Sequence, residues 1–144
     1  MFTVGDGLPT APTNEVQLLP GFPNTGPSAP LDFAVLDLDS NSAADTIYVA
    51  DDRTGSGGGI QKWTYDGSTW WLASTWSVGP GIGARHLIAV ESLGPVTVLV
   101  ATTTAAPNAV VKVVDEGPNS IVTTLATATG SDTAFRGLAL SPVP

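Results

Sequence analysis

Cysteine is absent from this chain of 144 residues. That excludes disulfides, thiolate metal sites and a cysteine nucleophile. Positive charge is scarce as well: Arg53, Lys62, Arg85, Lys112 and Arg136 stand against thirteen acidic residues, for a net charge of −8. A polyanion partner requires clustered Lys and Arg, and these five are scattered, so neither nucleic acid nor an anionic membrane surface is expected. No apolar run approaches the roughly 18 residues of a membrane span. The first twenty residues lack a basic start followed by an apolar core, so no signal peptide is expected. No window keeps a helical period without a Gly or Pro inside it, which predicts little or no helix. The one histidine, His86, has no motif partner. There is no G-x-S-x-G elbow, no H-E-x-x-H pair and no phosphate-binding glycine loop before a helix. The expectation is that the chain is not an enzyme and carries no cofactor.

What the chain has in quantity is turn formers, 16 glycines and 12 prolines. They separate short apolar stretches, the pattern of an all-β protein. The stretches also repeat. Phe33, Leu87 and Leu138 align in "PLDFAVLDL", "ARHLIAVES" and "FRGLALSP", at spacings of 54 and 51. Tyr48 aligns with Leu99 (51 apart), Lys62 with Lys112 (50 apart) and Leu72 with Leu125 (53 apart). Near the start, "FTVGDG" resembles the end of a third strand and "EVQLLPGF" a fourth. Self-similar units of about 50 residues and four strands suit β-propeller blades. The alternative is a β-sandwich, which does not require its halves to repeat.

The units divide as follows. Residues 1–30 hold the outer strands of a partial blade, 31–80 one blade, 81–130 another, and 131–144 the inner strand of a composite blade. Such a chain has about two and a half blades and opens and closes on fractions of a unit. Strand one of each blade should lie deepest, with Phe33, Val35, Tyr48, Leu87, Ile88, Leu99, Leu125 and Leu138 mostly buried. Asp66-Gly67 and Glu116-Gly117 mark tight turns. "GSGGG" reads as a flexible hairpin tip.

The segments "IYVADDR", "GGIQKWTYDG", "NAVVKVVDEG", "LATA" and "FRGLALSP" resemble, in order, the C-terminal blades of an uncharacterised family of secreted bacterial β-propellers. The resemblance extends over nearly the whole chain. It implies the fold and an extracellular or cell-surface location. It implies no activity and no site residues, and fold alone does not supply them.

The candidate sites come from the residues themselves. In "DLDSNSAAD", Asp37, Asp39, Asn41 and Asp45 fall at positions 1, 3, 5 and 9 of a run, a spacing of oxygen ligands that suits calcium. Position 6 is Ser42 instead of Gly, and position 12 is Tyr48 instead of a bidentate acid, so an acidic, solvated hairpin loop is the plainer reading. Asp51, Asp52 and Arg53 read as a surface ion-pair group. Trp63, Trp70, Trp71 and Trp76 are either packing between blades or a sugar-binding surface. Trp70 and Trp71 must point to opposite faces of their strand. Arg85 and Arg136, with His86, begin two successive first strands and are candidates for binding an anion or a neighbouring carbonyl.

Two roles are expected ahead of catalysis. One is a structural, self-assembling protein, a homo-oligomer or filament joined through terminal strands. The other is an extracellular, lectin-like module with a glycan partner. A metal-dependent propeller enzyme would need converging ligands, for which the first strands offer only Asp32, Asp37, His86 and Glu91.

Overall fold

The computed structural model describes residues 1–4, 15–41, 43–91, 96–130 and 132–142. No helix occurs among them, and ten strands form three antiparallel sheets. An N-terminal arm pairs β1 (Phe2–Val4) with β2 (Val16–Leu18). The first four-stranded sheet runs β3 (Pro30–Leu36), β4 (Thr46–Asp51), β5 (Gly59–Tyr65), β6 (Trp70–Trp76). The second runs β7 (Ala84–Glu91), β8 (Thr97–Thr103), β9 (Ala109–Val114), β10 (Val122–Thr127). Within each sheet every strand pairs with its sequence neighbour. The strands are rich in Val, Ile, Thr and Trp, which fit a pleated surface. Polar turns close them: the Asp66 carboxylate accepts from the Ser68 and Thr69 amides, both at 2.9 Å, at the β5–β6 corner.

The two large sheets correspond pairing for pairing. Pro30 lies opposite Asp51 as Ala84 lies opposite Thr103, and Phe33 opposite Val49 as Leu87 opposite Ala101. The Asp52 amide donates to Ala29 O (2.8 Å) as the Thr104 amide donates to Gly83 O (3.0 Å). By these pairings Lys62 corresponds to Lys112, as expected from the sequence. Tyr48 corresponds to Val100, one residue from the expected Leu99. Leu72 and Val122 correspond, each opposite an equivalent β-strand residue, Trp63 and Val113. Leu125, the expected match for Leu72, lies where the β9–β10 register shifts between Thr124 and Ala126. A bulge leaves its extra residue unpaired, and on this edge strand, exposed from Thr123 to Thr127, Leu125 is 53% exposed instead of buried.

Three layers stack: arm, first sheet, second sheet. Between the sheets, Tyr48, Ala50, Ile60 and Trp76 pack against Ala84, Leu87, Leu99, Ala101, Val111 and Val113. On the other face of the first sheet, Ile47, Val49, Trp63 and Trp70 meet Phe22 of the arm, whose ring stacks on Trp63 at 4.2 Å between centroids. Gly21 lets the arm approach β6: a Cβ there would stand 1.9 Å from Trp70 O, and its φ of +92° already favours glycine. Each fully buried Leu or Val of these layers stabilises the fold by roughly 1.5–3 kcal/mol.

Depth is distributed differently from the sequence expectation. Tyr48, Leu87 and Leu99 are buried. The deepest strand of the first sheet, however, is β4, buried at every position, and not β3. β3 is an edge strand in this chain, and its odd-numbered face extends past the arm, so Phe33 and Val35 are exposed. Ile88 is half-buried on the outer face of the second sheet. The C-terminal segment 132–142 forms no strand, contrary to the expected opening strand, and Leu138 is half-buried. Asn108 bonds it on both sides of one residue: Asn108 Nδ2 donates to Phe135 O at 2.8 Å and Asn108 Oδ1 accepts from the Phe135 amide at 2.9 Å.

Candidate functional site

A groove of about 660 Å³ lies between the arm and β3. Phe22, Leu31, Phe33, Val49, Trp63 and Leu72 form most of its apolar wall. Antiparallel register explains why these residues meet. Phe33, Val49 and Gln61 lie opposite one another across β3, β4 and β5, as do Val35, Ile47 and Trp63, so all share one face of the sheet.

A polar knot closes one end of the groove. Asp51 is 2% exposed, and its carboxylate accepts from the Arg53 amide at 3.0 Å and from Arg53 Nε at 2.8 Å. The guanidinium also donates to Pro27 O and, at 3.1 Å, to Gly57 O. Gln61 Nε2 donates to Gly57 O (2.6 Å), and Trp63 Nε1 donates to Gln61 Oε1 (2.8 Å). The expected surface pair is therefore a mostly buried one that positions the wall of the groove. The glycine run beside it is structural too: Gly58 is buried, and a Cβ on it would fall 1.8 Å from Arg53 O. Close packing, more than flexibility, accounts for these glycines.

A second polar cluster spans the two sheets. Asp115 Oδ2 accepts from Lys62 Nζ and from the Tyr48 hydroxyl, each at 2.6 Å, and Trp76 Nε1 donates to Gly117 O at 3.1 Å. Burial favours the neutral acid of Asp115, but the Lys62 and Tyr48 hydrogen bonds outweigh it and hold the carboxyl below its ordinary value. Burial, and then the bond to Asp115, push the Tyr48 phenol far above its ordinary value. Sequence reasoning missed this cluster. Lys62 stands out in the sequence only as the match of Lys112, and Asp115 merely precedes the Glu116-Gly117 turn, so nothing in their spacing indicates that a Lys of one sheet reaches an Asp of the next.

The expected cation ligands are partly brought together. Carboxylate oxygens of Asp37, Asp39 and Asp45 lie within 4.8 Å of one another. The loop also engages its own oxygens. Asp45 Oδ2 accepts from the Leu38 and Asp39 amides (3.0 and 2.8 Å), and Asp45 Oδ1 accepts from Thr46 Oγ1 (2.6 Å). Asn41 Oδ1 accepts from the Ala43 amide at 2.9 Å, and Asn41 Nδ2 donates to Asp39 Oδ2 at 2.8 Å. Ser42 lies outside the described residues.

The tryptophans separate by face. Trp63, Trp70 and Trp76 are buried, whereas Trp71 is 51% exposed. Trp70 and Trp71 do point to opposite sides, as adjacent strand residues must. Arg85, His86 and Arg136 line one cavity of about 380 Å³ together with Thr103, Thr104 and Asn108. Arg85 pairs with Asp52 at 3.4 Å in a partly exposed bridge. Thr104 occupies the position corresponding to Asp52 and lines the same cavity as Arg136, so this cavity has a hydroxyl where Arg85 has a carboxylate partner.

Chemically, the groove offers a mostly apolar wall, and the polar groups at one end are engaged with one another. Compared with family models, curated proteins and solved structures, the chain matches none.

Proposed function

We propose that this protein is a structural unit that associates with copies of itself, its two large sheets being consecutive blades of a β-propeller and its arm the outer part of a third. One observation carries the reading. Leu87 and Phe33 hold corresponding positions, yet Leu87 is 4% exposed and Phe33 56%. The second sheet has a complete layer over this face, and the first has only the arm over its outer part.

The layering favours blades over a sandwich. A two-sheet sandwich buries one face of each sheet and leaves the other polar. Here β4 is buried on both faces, Tyr48 toward the second sheet and Val49 toward the arm. The outer face of the second sheet is also largely apolar, carrying Ile88, Val90, Val98, Val100 and Val114 around Lys112. Stacked layers with apolar faces at both ends suit head-to-tail association, which closes into a ring or extends into a filament according to the rotation between copies. An extracellular setting follows from the family resemblance alone. A lectin-like role would rest on Trp71, since the other three indoles are occupied in packing.

Native mass in solution tests the proposal. Light scattering coupled to size exclusion should give a multiple of the 14.6 kDa chain. A single species of one-chain mass at working concentrations overturns it.

A further inference from the structure

Resting on that self-association, we infer that the groove between the arm and β3 receives residues 134–141 of a second copy. The groove continues an interface already formed. Phe22, Val49 and Trp63 belong both to the core under the arm and to the groove wall. A segment laid beside the arm would extend that layer over Leu31 and Phe33, both more than half exposed.

The molecule contains a template for the occupant. On the second sheet the corresponding surface, Leu87 with Ala89, is covered by β3 of the first sheet. β3 turns alternate residues toward it: Asp32 and Ala34 lie on the same face as Ala50 and Tyr48 of the interlayer core, and Asp32 Oδ2 accepts from the Leu87 amide at 3.0 Å. The occupant is therefore an extended segment whose alternate side chains, turned toward the groove, are no larger than Asp. Aligning Leu138 with Leu87 and Phe33 sets Gly137 and Ala139 at the positions of Asp32 and Ala34. Small residues there suit a groove whose wall already contains the bulk of Phe33. Leu138 and Leu140 fall on the opposite face, where they extend the apolar layer. Within its own chain the segment is bonded at Phe135, to Asn108, but residues 132–142 belong to no sheet and Leu140 is exposed.

The absence of cysteine makes disulfide trapping a clean test. Full-length Phe33→Cys and Ala139→Cys chains are prepared separately, mixed under mild oxidation, and followed by non-reducing electrophoresis with mass spectrometry of the linked peptides. Docking raises the effective concentration of the two thiols, so the mixture should form the 33–139 disulfide about tenfold or more faster than either variant alone. Phe33→Asp, a change at an exposed position, should keep the β-sheet circular dichroism of the parent and lose its multimeric mass. If the parent is multimeric but the mixture links no faster than the single variants, or Phe33→Asp stays multimeric, the groove assignment is wrong and association proceeds through another surface. A monomeric parent removes both this inference and the proposal beneath it.

Discussion

Leu87 and Phe33 hold the same place in two sheets of the same register, and differ almost completely in exposure. Phenylalanine is no less apolar than leucine, so the residue does not make the difference. Leu87 faces β3 and β4 of the sheet before it, whereas Phe33 faces only what the arm reaches. A second contrast follows the same logic. Arg85 has the Asp52 carboxylate beside it, whereas Arg136, its match in the sequence alignment, shares a cavity with Thr104, which corresponds to Asp52 and carries no charge. Burial and pairing here are properties of a layer and its neighbour, not of a position in one unit.

The largest test of this contrast is truncation at the two sites. Leu87→Ala should cost about 2–5 kcal/mol in urea unfolding, because it opens a cavity between packed sheets. Phe33→Ala, measured at dilution where the chains are apart, should change stability by no more than about 0.5 kcal/mol, as at an ordinary surface site. Equal losses would mean that the two positions are not the covered and uncovered versions of one surface.

Next in size is the bridge between layers. Asp115→Asn should destabilise by about 2 kcal/mol at neutral pH, since it leaves the partly buried Lys62 ammonium without its carboxylate. The pH dependence has a definite sign. A folded carboxyl held below its ordinary value contributes fully above about pH 4, and the contribution fades as pH falls through the lowered value. The variant should therefore show a flatter acid limb in stability against pH. Tyr48 behaves in the opposite sense: its raised value stabilises fully below about pH 10 and loses that contribution as pH rises further. Tyr48→Phe should flatten the alkaline limb.

A smaller effect is expected from Thr104→Asp, which gives Arg136 the carboxylate that Arg85 already has. The pair is exposed, so it should add no more than about 0.5 kcal/mol, read as slower amide hydrogen exchange across residues 132–142. No slowing would mean that the two arginines are not equivalent. The smallest effect concerns the acidic loop. Its carboxylates already cap local amides, so EDTA should leave the melting temperature unchanged. A drop beyond about 3 °C, the scale of 1 kcal/mol in a chain of this size, abolished by Asp37→Ala, would instead establish a calcium site.

Local chemistry explains where some residues singled out in the sequence lie, although none of them lines the groove. The Asp37, Asp39 and Asp45 cluster follows from spacing within one loop, and the opposite orientation of Trp70 and Trp71 follows from strand geometry. Arg85 and Arg136 could be paired through the alignment of "ARHL" with "FRGL", and they do share a cavity. The groove was not readable. Phe22 lies in a turn after β2 and Trp63 in the middle of β5, and only the folding of the arm across the sheet stacks them. The Lys62–Asp115 bridge joins residues of different sheets, and neither is unusual in its own strand.

By itself the sequence determined the all-β character, the turns, and most of the strand positions, because alternation, Gly and Asp act within a few residues. It also indicated that Lys62 and Lys112 correspond, since both lie in regular strands where counting residues preserves register. Tertiary structure alone decided three things. It set the β9–β10 register, in which Val122 and not Leu125 matches Leu72. It made β4 the deepest strand and β3 an exposed edge, and it left 132–142 without a strand. The physical reason is common to all three: backbone pairing and burial are completed by a neighbouring strand or layer, and the identity of that neighbour is not written in the segment it covers.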